Sequence, residues 1–148
     1  MSESQLELSN DELLSTTRAV RKRLDFERPV PMTAIKECME LAVQAPSGSN
    51  AQGWQFIFVT EPDKRAQIGA YYQQAFSLYK DMPFAIHNLH ADSGDASLAT
   101  SQQRSASSAD YLAENMGKAP VLMIPCIAGR IDNVRGANAS AQAGTMGS

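Results

Sequence analysis

The amino-acid sequence predicts one domain that combines helices with short strands. Apolar residues recur at helical spacing over 33–45 and again over 62–80, whereas 54–60 and 120–127 are short hydrophobic runs of strand character. The chain has 148 residues, of which 43% are hydrophobic and 20% are charged, as is typical of globular proteins. A chain of this length can bury a core of its own, so we expect a folded domain.

The N-terminal part of the chain carries a helix start and a cluster of cations. Ser9 is a candidate N-cap, and Glu12 three residues later is its reciprocal partner. We expect this helix to continue into the cluster, which would place Arg18, Arg21 and Lys22 on one helical face. Such a face is either simply solvated or suited to a phosphate monoester, whose oxygens a guanidinium group can bond in pairs.

A polar loop separates the second predicted helix from the first strand. The helix over 33–45 is expected to bury an apolar stripe, formed by Ile35, Cys38, Met39 and Ala42. Pro46 stops the helix because its ring removes a donor and clashes with the preceding turn. In the loop that follows, Asn50 and Gln52 offer both donors and acceptors, and Trp54 begins the strand. The loop is either a plain connector or a ligand site.

The first strand and the helix after it follow from their residue types. The run 54–60 is aromatic and β-branched, which predicts an interior strand covered on both faces. Pro62 suits the first turn of a helix that continues to about residue 80. The apolar side of that helix is predicted to consist of Ile68, Tyr71, Tyr72, Ala75, Phe76 and Tyr79.

The C-terminal half is less regular. Residues 82–108 show no sustained period, so we interpret them as a flap or an insertion, followed by a short helix over 109–116. The run 120–127 predicts a second buried strand, in which Pro125 indicates a bulge or a strand end. Nothing in the final stretch, 131–148, closes a domain.

Charge and composition exclude several classes of function. Acidic residues exceed basic ones, 16 against 13, so a net charge of −3 gives no general attraction for nucleic acid or for an anionic membrane. No apolar run is long enough to cross a bilayer, and the polar, acidic start predicts a cytoplasmic protein. Cys38 and Cys126 are predicted to be buried, reduced thiols. His87 and His90 lack the further ligands that a metal site needs, so no metal is expected.

Two segments together resemble the FMN-dependent nitroreductase family. Its members carry an Arg/Ser/Arg cluster near the N-terminus and an Ala-Pro-Ser-x-x-Asn-x-Gln-x-Trp segment later, which compare here with residues 17–23 and 45–54. The resemblance extends over 13–127 and implies an α+β fold, with a central, mainly antiparallel sheet flanked by helices. It implies homodimers with FMN at the subunit interface. Family members usually continue further, so the domain over 1–148 is expected to be C-terminally incomplete.

The resemblance also implies which residues contact the cofactor. The phosphate would be held by Arg18, Ala19, Arg21 and Lys22. The flavin ring would face the loop, usually that of the neighbouring chain, through Pro46, Ser47, Gly48, Ser49, Asn50 and Gln52. Ala19 stands where the family usually has serine, which removes one hydroxyl hydrogen bond worth about 1 kcal/mol. No catalytic side chain is expected, because the flavin carries the chemistry.

The implied function is transfer of hydride from NAD(P)H, through FMN, to a small acceptor such as a nitroaromatic or a quinone. Alternatives stay open at this point. One is a protein that binds FMN without turnover, and another is an inactive fragment that serves as an interaction or scaffold unit. A flavin-dependent dehalogenase or a cobalamin-ligand synthase of the same superfamily is a further alternative.

Overall fold

A computed structural model of the chain describes residues 7–89 and 94–127. The predicted features at 1–5, at His90 and at 131–148 lie outside these residues. The regular elements are α1 (Asn10–Thr16), α2 (Met32–Ala42), β1 (Trp54–Val59), α3 (Pro62–Lys80), α4 (Ala96–Asn115) and β2 (Leu122–Ile127). Two short 3₁₀ turns, Gly48–Asn50 and Met116–Lys118, precede the strands. Helices together with an antiparallel strand pair confirm the predicted α+β class.

The first helix begins where the sequence predicts and ends sooner. The Ser9 hydroxyl accepts from the Glu12 backbone N–H, and the Glu12 carboxylate accepts from the Ser9 N–H at 2.9 Å, which is a complete capping box. The helix then ends at Thr16, so the expectation that it carries the basic cluster on one face is wrong. Thr16 and Thr17 turn their hydroxyls back to carbonyls four residues earlier, each at 2.5 Å, a pattern that competes with helix continuation.

The second helix has its predicted position but not its predicted burial. It runs from Met32 to Ala42, ends before Pro46, and has no buried residue. Of the predicted stripe, Cys38 and Ala42 are exposed, and Ile35 and Met39 are half-buried. The predicted buried stripe is therefore wrong for the part of the chain that the structure describes. Cys38 and Cys126 are free thiols, but the prediction that they are buried is wrong, because Cys38 is exposed and Cys126 is only half-buried.

The two strands pair antiparallel, with Trp54 opposite Ile127 and Val59 opposite Leu122. Pro125 stands opposite Phe56 without ending β2, so the predicted strand end is wrong. Proline is tolerated in edge strands, and among the described residues this sheet has two strands, both of them edges. Outward-facing positions in β1 are exposed, which contradicts the prediction of a strand covered on both faces.

The third helix matches its predicted bounds, whereas the fourth was missed in part. Residues 96–108, predicted to lack regular structure, belong to α4, and the helix predicted to begin at residue 109 begins at Ala96. The Asp95 carboxylate caps α4 by accepting from Ser97 N–H at 2.8 Å and from Leu98 N–H at 3.1 Å. Ala106 and Ala113 are its buried residues, so a stripe of small residues marks the packed face. The interpretation of this region as a flap or insertion stays a prediction.

A close contact between two glycines joins α3 to the turn that precedes β2. A Cβ placed on Gly69 would lie 2.7 Å from the Gly117 Cα, a distance that side chains do not occupy. Beside this contact the Arg65 guanidinium donates to the carbonyl of Thr60 at 3.1 Å and to the carbonyl of Ala119. The helix thus holds the end of β1 and the approach to β2 together.

The core of the described chain is small. Its buried apolar residues are Ala85, Ala106, Ala113 and Leu122. Several large apolar side chains are exposed on other elements, including Leu14, Leu41, Ile57, Tyr71, Leu78 and Met123. Tyr71 was predicted to belong to the apolar side of α3 but is 69% exposed, so the prediction is wrong for this residue. These exposed apolar side chains are spread over α1, α2, β1, α3 and β2.

An ionic cluster joins α3, α4 and the segment between them. The Asp110 carboxylate lies 2.8 Å from Lys80 Nζ and 3.1 Å from His87 Nε2. Hydrogen bonding to Lys80 is the largest cause that lowers the pKa of Asp110, and the contact with His87 adds to it. His87 also packs its ring edge against Phe76 at 5.9 Å, so the connecting segment is held to both helices.

Gly69→Ala is expected to lower the free energy of unfolding by about 1–2 kcal/mol, because overpacking outweighs the gain in helix propensity. Gly117→Ala should cost less, since its Cβ would meet backbone atoms only at 3.2 Å. Gly48→Ala is the matched control, because nothing lies within 4 Å of the added atom. Urea denaturation measures the free energy of unfolding of all three variants. A Gly69→Ala protein as stable as the unchanged chain would contradict the glycine contact.

Asp110→Asn is expected to lower the free energy of unfolding at pH 7 by about 1 kcal/mol or less, since the ion pair is partly exposed. Because the folded pKa lies below the ordinary value of about 3.9, the stabilisation is present above that pH. It is lost as the pH falls through the folded pKa, so the two proteins should converge in acid. Glu114→Gln, at an exposed position one turn along α4, is the control. A difference that stays constant down to pH 2 would refute the electrostatic origin.

Candidate functional site

The basic cluster lines a cavity of about 580 Å³ directly after α1. Residues 17–21 have no helical structure, and residues 22 and 23 form a turn. The structure brings the four predicted phosphate-site residues together in this cavity, with Arg23 and with two hydroxyl-bearing residues, Thr16 and Ser108. We call it the cluster cavity. Its cations converge through an irregular segment rather than through helical spacing.

Contacts with α4 hold the cluster in place. Lys22 Nζ donates to Ser107 Oγ at 2.7 Å, and Arg21 Nη1 donates to Ser108 Oγ at 3.4 Å. Arg18 bonds the carbonyl of its neighbour Thr17 at 2.7 Å. Within residues 7–89 and 94–127, none of these three cations forms an ion pair. Their charges are therefore available to an anion.

The serines of α4 are functional candidates that the sequence did not suggest. They lie 85 and 87 residues from their basic partners, in the region where no helix was predicted. Only Arg21 of the cluster is half-buried, so its charge is the least screened by water. A hydrogen-bonded serine whose own proton is unused can donate to the same anion that the arginine binds.

The polar loop after α2 is stabilised by its own hydrogen bonds. Asn50 N–H donates to the Ser47 carbonyl at 2.9 Å, and Gln52 N–H donates to Ser47 Oγ at 3.1 Å. The Gln52 side-chain amide donates to Asn50 Oδ1 at 3.0 Å. The two amides on which the sequence-based site depends are thus partly used within the loop.

Three non-glycine residues of the loop adopt left-handed backbone conformations. The φ angles are +53° at Ser49, +54° at Asn50 and +45° at Gln52. Each costs about 1 kcal/mol, and such conformations occur preferentially at functional sites. Gly48 is not among the residues with a left-handed φ, and nothing lies within 4 Å of a Cβ built on it.

An apolar cavity of about 510 Å³ lies between the loop and the sheet. Pro46 is the one predicted site residue among its walls, which also include Trp54, Phe56, Pro125 and Cys126. We call it the loop cavity. It shares no lining residue with the cluster cavity, so the two predicted halves of the site line separate cavities of the chain.

A sequence profile of the nitroreductase family matches residues 14–147. The chain belongs to the nitroreductase family. The match spans both signature segments, and membership confirms the resemblance and the nitroreductase-like fold. How much of the full domain the chain contains, and which residues contact a cofactor, stay predictions.

One curated relative is iodotyrosine deiodinase 1 of Rattus norvegicus, 39% identical over 57 residues. The aligned part is 38% of this chain and 19% of the rat protein, so the chain matches about a fifth of that relative. A solved structure, the FMN and NADPH-dependent nitroreductase NfnB derived from Sphigopyxis sp. strain HMH, is 23% identical with a TM-score of 0.48. That alignment covers 93% of this chain and 66% of the solved one.

Neither a metal-ligand cluster nor a membrane-spanning helix occurs among the described residues. No group of three or more metal-ligating side chains occurs in 7–89 or 94–127. The helices of the same residues include none that is long and apolar enough to cross a membrane. The ionic cluster of His87, Asp110 and Lys80 is therefore a set of protein contacts.

Proposed function

We propose that the chain binds FMN and acts as an oxidoreductase that passes hydride from NAD(P)H to a nitroaromatic, a quinone or a similar small acceptor. Family membership supports the cofactor class. The cluster cavity is the observation that carries the proposal, since its arginines and lysine have no carboxylate partner among the described residues.

The cluster cavity fits a phosphate monoester. Arg18, Arg21 and Lys22 offset the charge of a dianion, and guanidinium forks match pairs of phosphate oxygens. Ser108 accepts from Arg21, which leaves its own proton free to donate. It can therefore supply the hydroxyl hydrogen bond that Ala19 does not.

The loop cavity fits a flat apolar group. Trp54 and Phe56 offer aromatic walls that exclude water, and Pro46 borders the opening towards the loop. When bound, FMN would supply the hydride-accepting and hydride-donating chemistry. The residues of the chain would bind and orient it.

We propose that the complete site forms between two chains. The cluster cavity and the loop cavity share no residue, which supports a site in which one chain contributes the cluster cavity and a second copy contributes the loop cavity. Leu14 and Leu41, exposed by 79% and 76%, offer apolar surface for association. The implied partner is an identical chain.

FMN titration, followed by flavin fluorescence, tests the cofactor proposal. FMN should bind the 148-residue chain at least tenfold more tightly than riboflavin, which lacks the phosphate. Arg21→Gln should weaken FMN binding by about 10–100-fold and leave riboflavin binding nearly unchanged. Arg104→Gln, an exposed arginine of α4, is the control. Equal affinities for FMN and riboflavin would rule out the cluster cavity as the phosphate site.

The same preparation separates a reductase from a protein that only binds FMN. Under anaerobic conditions, NADPH or NADH should bleach the bound flavin, and a nitroaromatic or quinone should restore its colour. Flavin that is bound but never bleached would support the non-catalytic alternative and refute the oxidoreductase.

Sedimentation equilibrium tests the dimer. A mass twice the 16.0 kDa of one chain is expected, and FMN should strengthen association, because it contacts both copies. Leu41→Glu, which puts a charge on the exposed face of α2, should shift the equilibrium towards monomers. Leu78→Glu, on α3 and similarly exposed, is the control for a general effect of charge. A monomer at all concentrations, with FMN bound, would exclude a site shared by two chains.

A further inference from the structure

A third cavity, of about 610 Å³, lies between α3 and α4. The proposed function assigns it no role. Its volume is in the range of small-molecule sites, about 300–1,000 Å³. The lining side chains that can recognise a ligand are Arg21, Tyr72, Phe76, Tyr79, Ile86 and Ser105. We call it the aromatic cavity. It shares Arg21 with the cluster cavity.

Three rings form one wall of the aromatic cavity. Tyr72, Phe76 and Tyr79 recur at spacings of four and three, so they share one face of α3. The Phe76 ring lies 6.2 Å from that of Tyr72, tilted by only 17°, and 5.7 Å from that of Tyr79. Ile86 N–H donates to the Tyr79 hydroxyl at 2.8 Å, which fixes that ring. The wall is ordered before any ligand arrives.

The polar groups of the cavity favour an anion. Arg21 is half-buried, its recorded hydrogen bond to Ser108 is long at 3.4 Å, and it has no ion pair among the described residues. The α4 carboxylate that lies closest along the sequence to the cavity residues is that of Asp110, and it is already paired with Lys80 and His87. A half-buried guanidinium without a carboxylate partner gains from an anionic ligand.

We propose that the aromatic cavity binds a planar aromatic carboxylate. The ring of the ligand packs on the wall formed by Tyr72, Phe76 and Tyr79, and its carboxylate accepts the fork of Arg21. The Ser105 hydroxyl, half-buried and without a hydrogen bond among the described residues, provides a further donor. The site is separate from the loop cavity, and the proposal does not depend on FMN binding.

Titration calorimetry with 2-naphthoate tests this site, and 2-naphthamide is the neutral probe of the same shape. Naphthoate should bind at least tenfold more tightly than the amide, because the amide lacks the charge that Arg21 pairs. Arg21→Gln should remove that preference. Lys22→Gln should leave it intact, since Lys22 lines the cluster cavity only. The same Lys22→Gln protein should bind FMN more weakly, so the two proposals fail independently.

A pair of neighbouring tyrosines provides the second control. Tyr72→Leu should weaken naphthoate binding about fivefold or more through lost stacking. Tyr71→Leu changes the same residue type one position earlier, at an exposed site outside the cavity, and should have no effect. Thermal unfolding of each variant shows that it is folded.

Three outcomes would overturn the proposal. The first is no saturable binding of naphthoate by the folded chain. The second is equal affinity for the acid and the amide, which would leave Arg21 without a role. The third is naphthoate binding that appears only after the protein is diluted to monomers. That result would mean that a second copy of the chain fills the cavity in the dimer.

Discussion

The contact between Gly69 and Gly117 is the constraint on which the rest of the arrangement depends. Only hydrogen fits between these backbones, so α3 lies directly against the turn that leads into β2. Arg65, one helical turn earlier, then reaches the end of β1 and the approach to β2. This close contact therefore helps to fix the strand register and the position of α4 beside α3. The cavities between the helices follow from it.

Local signals carried much of the fold. The capping box at Ser9, the proline at the first turn of α3 and the aromatic run of β1 act within a few residues, and each predicted its element correctly. The start of α4 was not predicted, because the buried residues of this helix are alanines, which were not counted as an apolar stripe. Ala106 and Ala113 lie seven residues apart on one face, and Asp95 supplies the cap, so part of the signal was present.

Burial and the candidate site were less predictable. Periodicity identifies which side of α2 is apolar, but it does not say whether this chain alone covers that side, and the structure leaves it exposed. The cations were expected to converge through a helix. They converge instead because the serines of α4 hold Arg21 and Lys22 from positions far along the chain. A contact of that range depends on the path of the chain, which no local pattern contains.

Arg21 connects the two proposed sites. Its guanidinium lies in the wall of both the cluster cavity and the aromatic cavity, and five N–H donors allow it to contact two anions. Two anions at one cation repel each other, however, and each reduces the charge that the other would use. Thermodynamic linkage makes that effect reciprocal: a phosphate in one cavity weakens a carboxylate in the other by the same factor as the reverse. If both sites exist, cofactor binding and occupancy of the aromatic cavity are therefore coupled through a single side chain.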